Sequence, residues 1–145
     1  MFERILKKEL KSRLFQGKTI LLIGPRQVGK TTLINQILSE DDTSSMFLDG
    51  DDPSVRQLLN TPNTEQIRQI ISTTKLIFID EAQRIKNIGI TAKIITDQFK
   101  DRQLILSGSS SFELGNSIQE PLTGRKWTYH LYPISWQEWQ NDAGF

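Results

Sequence analysis

Thr19-Ile20-Leu21-Leu22-Ile23-Gly24-Pro25-Arg26-Gln27-Val28-Gly29-Lys30-Thr31-Thr32 runs from an apolar segment straight into a glycine-hinged turn. The spacing has a mechanical reading. Gly24 and Gly29 let the backbone turn tightly, so that successive N–H groups point inward at a β-phosphate. A helix starting at the end of this loop adds the positive end of its dipole. Lys30 is placed to reach β and γ oxygens, and the Thr31 hydroxyl to ligate Mg²⁺. Leu33, Ile34, Ile37 and Leu38 then recur at helical spacing. A buried strand, a phosphate-binding P-loop and a helix are therefore expected in that order. Gly24, Pro25, Arg26, Gln27, Val28, Gly29, Lys30, Thr31 and Thr32 form the candidate nucleotide-binding segment.

A second stretch completes such a site. Leu76-Ile77-Phe78-Ile79-Asp80-Glu81 is four apolar residues closed by two acids. A carboxylate at that strand tip can hold the Mg²⁺ shell, usually through water, and this role goes to Asp80. Glu81 is then placed to orient or deprotonate the water that attacks a γ-phosphate. An acidic pair facing solvent is the plain alternative. An Asn-Lys-x-Asp guanine-recognition sequence is absent, and a glutamate beside the Mg²⁺ acid favours ATP over GTP.

Two weaker signals follow. Leu104–Leu106 leads into Ser107-Gly108-Ser109-Ser110-Ser111. Ser107 and Ser109 are candidates to sense the γ-phosphate or fix the water, and a Gly/Ser loop capping a helix is the other reading. Arg125 is the best candidate to neutralise transition-state charge, in cis or across a homo-oligomer, because its planar fork matches phosphate oxygens. A surface ion pair serves equally well to explain it. Arg26 is a second candidate for the same role.

Around these motifs helix and strand patterns alternate, which predicts a mainly parallel α/β sheet. Phe2, Ile5, Leu6, Leu10 and Leu14 mark an opening helix over 2–16, ending near Gly17. The strands are expected at Thr19–Ile23, Met46–Leu48, Lys75–Ile79, Gln103–Leu106 and Lys126–Leu131. Asp52-Pro53 looks like an N-cap and first helical position. Val55, Leu58 and Leu59 should face inward from that helix, and Ile67, Ile70 and Ile71 from the next. The helix after the Asp80 strand should bury Ile90, Ile94, Ile95 and Phe99.

Bulk properties restrict the class. The 145 residues suffice for one domain with a layered core. A hydrophobic fraction of 37% is low for that size, so some segments should face solvent or another body. The formal charge of +1 gives no global field for nucleic acid or an anionic membrane. Arg4, Lys7, Lys8, Lys11 and Arg13 read as the solvated face of the opening helix, with a nucleic-acid contact as the lesser reading. The absence of cysteine excludes a disulfide framework or thiolate metal site. His130 has no second histidine or cysteine beside it, which argues against a metal there. No apolar run reaches bilayer-spanning length, so a soluble cytoplasmic protein is the default. Trp127, Tyr129, Tyr132, Trp136 and Trp139 crowd the C-terminal end, as core or as a surface that another domain covers.

GPRQVGKTTL, DGDDPSVRQLL, LIFIDEAQRIKNIG, LSGSSSFEL and GRKWTYHLYPISWQEW together resemble the N-terminal module of a prokaryotic AAA-type P-loop ATPase family. The resemblance covers nearly the whole chain in one order. It implies a three-layer α/β/α fold with a five-stranded sheet in the order 5-1-4-3-2. It also implies ATP and Mg²⁺ as ligands, with Asp80 and Glu81 catalytic and Lys30 assisting. Gln83, Ser107 and Arg125 match further family positions. One AAA-type domain over 1–145 is expected, with a nucleotide-binding core at 18–131 and a C-terminal stub at 132–145. Members of the family usually continue into a helical lid, a winged-helix segment and a nuclease-like region, so a domain excerpt or a truncated product is expected, with a downstream domain as partner. Beside hydrolysis stands a second reading, an ATP-gated interaction module with negligible turnover. A phosphotransferase is disfavoured because no arginine-rich lid sequence follows the fourth strand.

Overall fold

In the computed structural model of the chain, residues 2–24, 30–40, 43–108 and 121–130 are described, and of residues 2–5 and 30–31 the backbone alone. Helix α1 spans Phe2–Arg13, followed by β1 (Thr19–Ile23), α2 (Lys30–Glu40) and β2 (Ser45–Asp49). Helices α3 (Pro53–Leu58) and α4 (Thr64–Ile71) lead to β3 (Leu76–Asp80) and a 3-10 turn at Ala82–Arg84. Helix α5 (Ile88–Gln98), β4 (Gln103–Gly108) and β5 (Lys126–His130) complete the described elements. The five expected strands are all present, with ends moved by a residue or two. Leu131, Tyr132, Trp136, Trp139 and the rest of 132–145 lie outside the described residues, as do the side chains of Phe2, Arg4 and Ile5.

Among the described residues the four strand pairings are all parallel, and the order is β2-β3-β4-β1-β5. This is the expected 5-1-4-3-2 order read from the other edge. The reason for burial is visible in the strands. β1 is buried at every position, and so is β4, because helices cover both faces. Alternation then sends Ile20 and Leu22 to one face, with Leu10, Leu33, Ile34 and Ile37 of α1 and α2. Leu21 and Ile23 go to the other, with Ile67, Ile71, Ala92 and Ile95 of α4 and α5. The result is three layers.

Local chemistry sets the helix starts. The Asp52 carboxylate accepts from the Ser54 amide at 2.8 Å, with Pro53 in the first turn, as expected. Asn63 caps α4 by accepting from the Gln66 amide at 2.8 Å. Asp52→Ala is expected to lower stability by about 1 kcal/mol. Urea unfolding of the two proteins checks it, as a shifted midpoint at unchanged slope.

Two expected core positions are corrected. Leu58 is 42% exposed, whereas Leu59, also expected inward, is buried. Helix α3 buries none of its six residues, and Leu59 reaches the core from the C-cap position just past its end. Ile90 is 47% exposed. The inward stripe of α5 is Ile88, Thr91, Ala92 and Ile95, whose small members let the helix approach the sheet.

The basic positions of α1 are mostly engaged within the chain. Lys7 and Lys11 both pair with Glu40 at the end of α2, the latter at 2.9 Å. These two ammonium groups hold the Glu40 carboxyl below its ordinary range. Arg13 pairs with Glu9 at 3.4 Å and lies 4.3 Å from the centre of the Trp127 ring. Trp127 and Tyr129 pack against the α1–α2 side of the core, which meets the packing reading of these aromatics.

Candidate functional site at the carboxyl edge of the sheet

Because every described pairing is parallel, the strands end at one edge of the sheet. Ile23, Asp49, Asp80, Gly108 and His130 close β1, β2, β3, β4 and β5 there. Crevices at such edges are where open α/β sheets bind ligands. The Gly24 amide donates to the Gly108 carbonyl at 3.0 Å, which ties the segment leaving β1 to the tip of β4. Helix α2 starts at Lys30 from the same edge. Pro25, Arg26, Gln27, Val28 and Gly29 lie outside the described residues, as do the side chains of Lys30 and Thr31, and Ser109. Thr32 is exposed in the first turn of α2.

The acidic tip is well defined. Ile79 pairs with Leu106, so the next residues along, Asp80 and Ser107, come side by side. Ser107 is fully buried, and its hydroxyl donates to Asp80 Oδ1. The same oxygen accepts from the Glu81 amide at 3.0 Å. Two donors thus fix one carboxylate oxygen of Asp80. Sequence reasoning named both residues, and the structure brings them together.

Glu81 leaves the strand in a left-handed conformation, φ 49° and ψ 47°, which costs a non-glycine residue of order 1 kcal/mol or more. The bend turns the chain from β3 into the 3-10 turn. Its carboxylate is held in a residue only 5% exposed, and Oε2 accepts from Gln83 Nε2 at 2.7 Å. Ala82 and Ile85, both buried, pin the turn to the core.

One contributor escaped the sequence reading. The Gly50 amide, just past β2, donates to the Asp80 carbonyl at 2.7 Å. A Cβ on Gly50 would stand 2.2 Å from the Glu81 carbonyl oxygen and 2.7 Å from that of Asp80, so only glycine fits. Arg56 Nη1 secures this turn by donating to the Gly50 and Asp51 carbonyls at 3.1 and 2.9 Å. The DGDDP stretch carried the signal, a glycine directly after an edge strand, but the contact joins segments thirty residues apart.

Arg125 is placed elsewhere. Its carbonyl accepts from the Thr19 amide at 2.9 Å, at the start of β1 rather than its end. A five-residue strand separates it from the carboxyl edge, about 16 Å at 3.3 Å per residue. Arg125 Nε donates to Asp97 at 2.9 Å on a half-exposed surface. The cis reading of this arginine is corrected accordingly.

The fold is that of the P-loop NTPases. The chain belongs to the AAA domain family, whose profile matches residues 16–140. An uncharacterized protein of Mycobacterium tuberculosis is 31% identical over 117 residues, and one of Mycobacterium bovis matches to the same extent. The match takes 80% of this chain but 25% of each mycobacterial protein, so the chain spans about a quarter of their length. Among solved structures, the Thermotoga maritima RuvB Holliday junction branch migration motor aligns at TM-score 0.61 and 21% identity, over 95% of this chain and 48% of that one. A chain of the Drosophila ORC bound to DNA aligns at 0.64 and 12% identity, over 94% of both. The Walker-type ATPase of Pyrococcus abyssi aligns at 0.61 and 16% identity, over 94% of this chain and 53% of that one. At these identities the likeness to the solved structures concerns the fold. Family and fold are those of nucleotide-binding AAA-type ATPases.

Proposed function

We propose that this chain binds ATP with Mg²⁺ and hydrolyses it to ADP and phosphate, serving a conformational or regulatory task of a larger multidomain protein. The observation that carries the reading is the Ser107–Asp80 hydrogen bond beside a buried Glu81, at the sheet edge from which α2 starts. The P-loop amides and Lys30 bind the phosphates. Asp80 and the Thr31 hydroxyl are hard oxygen donors suited to Mg²⁺, which when bound neutralises charge on the phosphate oxygens. Among the described residues no group of three or more His, Cys, Asp or Glu is arranged to hold a metal. One carboxylate and one hydroxyl nevertheless fit an ion that keeps waters and phosphate oxygens as its other ligands.

Glu81 orients the attacking water and takes its proton, while Ser107 fixes the Asp80 carboxylate that faces the same reaction. Arg125 could serve a neighbouring copy in a homo-oligomer, where the distance within one chain no longer matters. Among the described residues no helix is long and apolar enough to cross a membrane. A cytoplasmic setting is part of the same proposal.

The test is steady-state phosphate release from ATP with Mg²⁺ and with excess chelator. Release that needs Mg²⁺ is expected, and Ser107→Ala should lower it roughly 10- to 100-fold, as loss of an outer partner of a metal ligand does. Tight ATP binding with equal, negligible release by wild type and Glu81→Gln would instead establish a non-hydrolysing ATP-gated module.

A further inference from the structure

Glu81 stands at the point where β3 ends, and its backbone there is strained and over-determined. Its amide donates to Asp80 Oδ1, and its carbonyl accepts from the Arg84 amide at 3.0 Å to start the 3-10 turn. Gly50 closes in on that same carbonyl with no room for a side chain. These contacts act on the backbone of Glu81 and not on its carboxylate. A glutamate that must aim at one water loses rate if its carboxylate wanders.

We propose that Gln83 is the positioning residue for Glu81, resting on the reading of Glu81 as the group that activates water. Its side-chain amide reaches back two residues to donate to Glu81 Oε2 at 2.7 Å. The backbone of Gln83 lies between Ala82 and Ile85, both buried, so the donor is delivered from a fixed base. An amide is suited to this task because it donates to a carboxylate without carrying charge. It therefore holds Oε2 without competing as a cation for the phosphates, as a lysine or arginine at this position would. The short loop Glu81-Ala82-Gln83 in this view carries both a reacting carboxylate and a donor that aims it.

Gln83→Met keeps the length of the side chain and removes the donor. The expected result is a kcat for ATP lowered about 10- to 100-fold, a share of what a positioned base supplies, with ATP affinity and melting temperature close to wild type. In a Glu81→Gln background the same change should have no further effect, because Gln83 acts through Glu81. An equal loss in both backgrounds, or a wild-type kcat in Gln83→Met while Glu81→Gln is inactive, overturns the proposal alone. Wild-type turnover in Glu81→Gln overturns the reading on which it rests.

A second measurement needs no turnover. In the full chain labelled with ¹⁵N-glutamine, the Gln83 side-chain amide is identified by the signal missing from Gln83→Met. That signal should shift strongly in Glu81→Ala. An unmoved signal shows that the two side chains do not meet and overturns the proposal, including where Gln83→Met fails to fold.

Discussion

Glu81→Gln is expected to bind ATP·Mg²⁺ about as well as wild type and to release phosphate roughly 10²- to 10⁴-fold more slowly. The substitution is nearly isosteric, and it replaces a proton acceptor with an amide. The backbone that carries it is held by neighbours rather than by its own side chain. The Arg84 amide, Gly50 and the Asp80 carboxylate all act on main-chain atoms of Glu81. A glutamine therefore inherits the same bend, and β1, from whose end the proposed phosphate-binding segment leaves, lies on the other side of β4. Steady-state phosphate release and ATP affinity, measured on the same preparations, separate the two effects. A Glu81→Gln protein with undiminished turnover would remove Glu81 from the chemistry.

Gly50→Ala is expected to damage stability and activity together. A methyl group would meet two carbonyl oxygens at 2.2 and 2.7 Å, far inside van der Waals contact, and these belong to the tip of β3 and to Glu81, whose carbonyl the Arg84 amide holds in the 3-10 turn. Either β2 parts from β3 at its tip, losing the 2.7 Å hydrogen bond to the Asp80 carbonyl, or the Asp80–Glu81 segment is pushed out of place. Overpacking of this kind costs about 1–3 kcal/mol. At about 2–4 °C per kcal/mol for a chain of this size, the melting temperature should fall by roughly 2–12 °C. Phosphate release should fall further than the loss of folded protein explains, because the displaced residues are Asp80 and Glu81. A melting curve and turnover matching wild type would mean that the turn after β2 does not press on the acidic tip.

Much of this architecture was legible in the residues. The apolar run Thr19–Ile23 before a glycine-hinged loop, and the run Leu76–Ile79 before two acids, announce buried parallel strands whose tips carry chemistry. Asp52 before Pro53 announces a helix start. The strand order came with the family resemblance, since no spacing in the chain says that β4 lies between β1 and β3. What the residues did not reveal depends on contacts between distant segments or on faces of short helices. Gly50 matters because β2 lies beside β3, a pairing that local periodicity does not encode. Ile90 looked like core because large apolar residues dominate a periodicity count, whereas α5 turns Gly89, Thr91 and Ala92 to the sheet to come close. Arg125 precedes a strand that runs parallel to β1, which carries it to the end of the sheet opposite the carboxyl edge.

The central claim is that one triphosphate is held between the loop after β1 and the acidic tip of β3. Isothermal titration of ATP·Mg²⁺ into wild type and Lys30→Ala tests it most directly. Saturable binding to wild type is expected, weakened about 10- to 150-fold in Lys30→Ala, as fits loss of one charge-assisted hydrogen bond of about 1.5–3 kcal/mol. Equal affinity of a folded Lys30→Ala protein, or no heat from wild type at all, would contradict it.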